Sequence, residues 1–165
     1  MNIIEFLLKE LESEVQTTRK FLALVPFETP EWAPHEKSMN IMPLSTHIAE
    51  LPGWISLGLT TNELNFATAP YQPIIVSTNE ELLAVLEKNY EGAKQELSKA
   101  KGEELTKRWV LRNGEQILSD IDKYGIIRIA LNQITHHRAQ LGVYFRLLGI
   151  AVPSSYGPSA DDDTF

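Results

Sequence analysis

Apolar positions recur at three- and four-residue steps in four stretches of the chain, and this periodicity predicts four long helices. The first runs from about Ile3 to Val25, with Phe6 or Leu7, Leu11, Val15, Thr18, Leu22 and Val25 on one stripe and Pro26 and Pro30 closing it. The second starts after Asn40, a good N-cap, tolerates Pro43 in its first turn and continues through His47 to about Leu59. Pro52-Gly53 lies inside it and predicts a kink just beyond the histidine, because proline removes an amide donor. The third extends from about Glu80 to Lys99, capped by Thr78 or Asn79, with Leu82 or Leu83, Leu86, Tyr90, Ala93 and Leu97 inward. The fourth is expected to begin at Ser119 or Asp120 and to end at Gly149. Its Ile126, Ile127, Ala130, Leu131, Ile134, Leu141, Val143 and Leu148 cover more than one face, as in a central helix.

The connections are long. Thr29 to Lys37 is a proline-marked loop, and Thr60 to Ser77 is rich in Pro, Thr and Asn. Lys107 to Arg112 reads as extended and Asn113-Gly114 as a turn, but no partner strand stands out, so this stretch is expected to be an irregular crossover. The sum is an all-α chain: a four-helix bundle with long crossover connections, residues 1–165 forming a single domain.

Composition narrows the function. The chain has 165 residues, 43% hydrophobic and 22% charged, enough for a full core in water. It has no cysteine, which excludes disulfides, zinc-thiolate sites and a cysteine nucleophile and fits a reducing compartment. The first ten residues lack a basic start, and charges interrupt their apolar run, so a cytoplasmic protein with no membrane partner is expected. A net charge of −7 argues against binding a phosphate backbone, so no nucleic-acid partner is expected.

The candidate chemistry lies in Leu131 to Leu141. Gln133 and His137 are four apart and share one helix face; His136 and Gln140 form a second such pair. His47 lies on another helix. A lone histidine among apolar residues is more often a hydrogen-bonded core group than a ligand. Two histidines and an amide from two helices nevertheless match how bundles hold metals, and three protein donors leave positions open for water or substrate. Adjacent histidines rarely face one point, so His137 is assigned inward and His136 to the flank. An amide oxygen is a weak, neutral donor, so a carboxylate such as Glu50, three residues after His47, becomes a candidate for the surrounding shell together with His136 and Gln140. No histidine follows a Glu by three residues, which excludes a carboxylate di-metal bundle, and neither a glycine-rich phosphate loop nor a nucleophile elbow is present.

Several motifs together resemble the DinB/YfiT-like superfamily of metal-dependent enzymes, closest to its DinB branch. They are Lys37-Ser38-Met39, the run His47 to Trp54, His136-His137-Arg138-Ala139-Gln140-Leu141 followed by Tyr144 and Arg146 to Gly149, Val152-Pro153, and Tyr156 to Asp161. The resemblance implies a four-helix bundle, often a homodimer, with a divalent metal, zinc or nickel, held by three histidines. His47 and His137 fall on two of those positions, and Gln133 stands where the third histidine would be. It also implies a small-molecule substrate, with low-molecular-weight thiols as cosubstrates in some relatives.

Two readings follow. In the first, a metal on His47, Gln133 and His137 makes the chain a metal-dependent transferase or hydrolase, with thiol-dependent S-transfer or a related conjugation or detoxification favoured. Any sulfur nucleophile must then arrive as a cosubstrate, since the chain has none. In the second, the same residues form a hydrogen-bonded network in a metal-free dimeric bundle that serves as a binding or stress-response module.

Overall fold

The computed structural model describes residues 2–164. Four helices carry the fold: α1 (Ile3–Leu22), α2 (Ile41–Thr60), α3 (Asn79–Lys99) and α4 (Lys123–Leu148). They pack together as a bundle, with α2 against both α3 and α4, and α1 against α3 and α4. The stripes meet in one core that includes Leu11, Leu22, Leu44, Ile48, Leu86, Ala93, Ile127, Leu141 and Phe145. Each fully buried aliphatic side chain there contributes about 1.5–3 kcal/mol.

Local signals set the helix ends. Asn2 caps α1 and Thr78 caps α3, each accepting a backbone N–H three residues on. α1 stops at Leu22, one turn before the expected Val25, although Val25 itself stays buried. Pro52 lies within α2, which continues to Thr60. A side chain at Gly53 would run into Asn89 Oδ1, so glycine here lets Asn89 reach over from α3 and donate to Ala49 O at 3.2 Å. Gly149 ends α4 at φ 72°, a left-handed conformation that glycine adopts without strain.

The structure corrects the expected crossover. A three-stranded sheet in the order β1-β2-β3 flanks the bundle, formed by Glu63–Asn65, Arg108–Asn113 and Gln116–Asp122. β2 and β3 form an antiparallel hairpin through the Asn113-Gly114 turn, with Gly114 at φ 60°. β1, from the long Thr60–Ser77 connection, pairs with β2 in parallel. Accordingly α4 does not begin at Ser119 or Asp120, which are strand residues; Asp122 is the cap, accepting from Gly125 N at 2.7 Å. The fold is therefore a mostly helical bundle with a small sheet. Trp109, fully buried on β2, donates its indole N–H to Thr61 at 3.0 Å and ties the sheet to the end of α2.

The segment after α4 folds back onto the bundle. Asp161 accepts from Val152 N and pairs with Arg146 at 2.6 Å, while Asp162 accepts from Ser154 N. This places Tyr156 beside a buried ion pair. Arg138 on α4, 2% exposed, meets Glu14 of α1 at 2.7 Å and also donates to Glu14 O, Thr18 Oγ1 and Tyr156 Oη. No helix among the described residues is long and apolar enough to cross a membrane.

Candidate metal centre

α2 and α4 bring His47 and His137 together, their rings edge to face with centroids 4.8 Å apart. Both are half-buried. Burial lowers the pKa of His47, and the nearness of His137 lowers it further. Burial likewise lowers that of His137, against the opposing hydrogen bond to Gln140. Both imidazoles are thus held neutral, the form that binds metals.

His137 Nδ1 lies 2.8 Å from Gln140 Oε1. An amide oxygen carries no proton, so Nδ1 donates and Nε2 keeps its lone pair. Gln140 Nε2 in turn reaches His136 Nε2 at 3.2 Å. His136 and Gln140 are exposed, and their chain of hydrogen bonds fixes the ring of His137 from the solvent side, as outer groups orient metal-binding histidines.

Gln133, one turn before His137, borders an outer recess of about 360 Å³ with Ile129, Asn132 and His136. Its Oε1, however, is buried and has no hydrogen-bond partner. An unsatisfied buried carbonyl costs about 1–3 kcal/mol, so it calls for a partner. His47 lines a different pocket, of about 620 Å³, and the structure does not gather all three predicted residues around one cavity.

The facing histidines alone leave room for a divalent cation. Two histidines on one tetrahedral ion, with metal–nitrogen distances of about 2.0–2.1 Å, have ring centroids roughly 5 Å apart. The 4.8 Å between His47 and His137 is close to this, but so is the 4.9 Å between the neighbours His136 and His137, and Gln133 borders a separate recess. The donor set is neutral, and among the described residues no group of three or more His, Cys, Asp and Glu is placed to hold a metal. Such a site binds a dication more weakly than one that includes a carboxylate.

The pocket beside His47 was not legible in the sequence. The loop before α2 gives it Met39, and α2 gives it Pro43, Glu50, Gly53, Trp54 and Leu57. The long connection after α2 adds Leu64, Phe66, Ala69, Pro70, Tyr71, Gln72 and Ile74, and α3 adds Asn89. Tyr71 Oη donates to Glu50 Oε2 at 2.8 Å, closing the connection over α2. Burial raises the pKa of Glu50, opposed by this hydrogen bond, and burial with the nearby carboxylate pushes Tyr71 up to about 12. Glu50, expected near the metal, faces this pocket and Tyr71. The proline and aromatic content of residues 60–77 was the available signal, but which helix they cover depends on β1 pairing with β2.

Four packed helices with a small sheet beside them define the class. The chain belongs to the DinB family, whose model matches residues 2–164. Solved structures agree on the fold. A DinB-like protein of Bacillus subtilis has a TM-score of 0.66 at 17% identity, covering 87% of this chain and 91% of that one. Another, from Bacillus cereus ATCC 10987, has a TM-score of 0.68 at 18% identity, covering 91% and 95%. The chain has no match among curated proteins.

Proposed function

We propose that this chain is a metal-dependent enzyme acting on a small substrate held in the 620 Å³ pocket, with a low-molecular-weight thiol as cosubstrate. The observation that carries this reading is the facing pair of neutral imidazoles, one of which lines a large, mainly apolar cavity. His47, His137 and Gln133 would hold the ion. A bound divalent metal supplies Lewis acidity and lowers the pKa of a coordinated thiol or water. The protein's own groups do the rest. Gln140 fixes the tautomer of His137, the apolar walls exclude water, and Glu50, a carboxylate made more basic by burial, can accept a proton in the pocket. With no cysteine in the chain, any sulfur nucleophile must come from the cosubstrate, and the family resemblance favours group transfer over hydrolysis.

The test is thiol consumption against a panel of small electrophiles. Turnover that disappears with a strong chelator and returns with zinc or nickel supports the reading; turnover indifferent to chelation contradicts it. The neutral donor set favours a second reading, a metal-free binding bundle. Gln133→His separates the two: it tightens an existing metal site under the first and creates one where the wild type has none under the second.

A further inference from the structure

The walls of the pocket beside His47 carry a charge asymmetry. None of its lining residues is Lys or Arg, and its only carboxylate is Glu50. Glu50 is half-buried, and its side chain is hydrogen-bonded to the neutral Tyr71 hydroxyl. No cationic side chain among the described residues pairs with it, although nine ion pairs form among those residues. A carboxylate drawn out of water and lacking a counter-charge is costly, and a cation brought beside it recovers that cost. Around it, Leu57, Trp54, Phe66 and Ile74 offer an apolar and aromatic surface. Such surfaces favour an apolar body, and aromatic faces also attract cations.

From this we infer that the pocket selects an apolar amine: an ammonium group paired with Glu50, displacing the Tyr71 hydroxyl, and a hydrocarbon or aromatic body against Trp54, Leu57 and Phe66. In the metal-free protein anionic ligands are rejected, because they would meet Glu50 with no cation on the lining to receive them; a dication on His47 would narrow the margin. The inference rests on the reading that this cavity is the substrate site, but it does not need the metal.

Calorimetric titration of the full-length protein, as purified and after chelation, tests it with three probes of matched shape: 2-phenylethylamine, 2-phenylethanol and 3-phenylpropanoate. The amine is expected to bind at least tenfold more tightly than the alcohol, with the carboxylate weakest, and the margin should shrink as salt is added. Glu50→Gln brings the amine down to the alcohol. Tyr71→Phe, at an exposed residue that leaves the fold intact, frees Glu50 and tightens the amine, so the idea stays testable if Glu50→Gln fails to fold. Equal binding of the three probes, a preference for the carboxylate, an amine preference that survives Glu50→Gln, or no binding of any probe overturns it. Amine selectivity in a protein that takes up neither zinc nor nickel would sink the proposed enzyme and leave this inference standing; a metal-dependent enzyme indifferent to ligand charge would do the reverse.

Discussion

Gln133→Leu should move stability and metal binding in opposite directions. In the metal-free protein, Gln133 Oε1 is a buried acceptor without a partner. Removing such an atom recovers about 1–3 kcal/mol. The side chain is only half-buried, so leucine gains little further apolar burial and the lower end applies. A gain of about 1 kcal/mol in a protein of this size raises Tm by roughly 2–4 °C. With metal present the order reverses. A ligand at 100 times its Kd adds about 2.7 kcal/mol to the wild type, and a variant with two donors in place of three loses most of that. Thermal unfolding followed by circular dichroism, with chelator and with excess zinc or nickel, reads both effects. A chelated variant less stable than wild type would refute the claim that Gln133 is a strained, unsatisfied group. A variant stabilised by metal as much as wild type would refute its role as a donor.

Arg138→Met leaves Glu14 buried without its partner and removes the donor to Tyr156, so it should cost about 3–5 kcal/mol in urea unfolding; a loss under about 1 kcal/mol would show that the pair is not structural. The segment after α4 should loosen in acid. Arg146 holds Asp161 below its ordinary value of 3.8, and hydrogen bonds from Thr164 and Ser154 hold Asp162 lower still. Both carboxyls are depressed in the folded state, so their contribution is complete above 3.8 and is lost as pH falls below it. Protection factors of the Val152 and Ser154 amides, which discount the intrinsic slowing of exchange in acid, should fall as pH drops below 3.8, and unchanged protection would contradict this.

The helices were legible because each carries its own apolar period and cap. The sheet was not. On β3, Ile117 and Leu118 are both exposed while the polar Ser119 takes an inward position, so its apolar residues do not mark the inward face, and Ser119, Asp120 and Asp122 all have the chemistry of a helix cap. The backbone decides among them by pairing Asp120 with Val110. β1 has three residues and finds β2 across more than forty positions, a contact with no local signal. Within the candidate site, spacing alone indicated that Gln133 and His137 share a face. That His137 meets His47 while Gln133 borders another recess depends on the angle between α2 and α4. The partnership of Glu50 with Tyr71 depends on the path of a long connection whose only regular element is β1.

Elemental analysis of untagged protein, paired with His47→Ala and His137→Ala, tests the central claim most directly. The account predicts about one divalent ion per chain after incubation with zinc or nickel, lost in both variants and strengthened by Gln133→His. An unaltered metal content in the alanine variants, or no metal in the wild type after incubation with either ion, would contradict it.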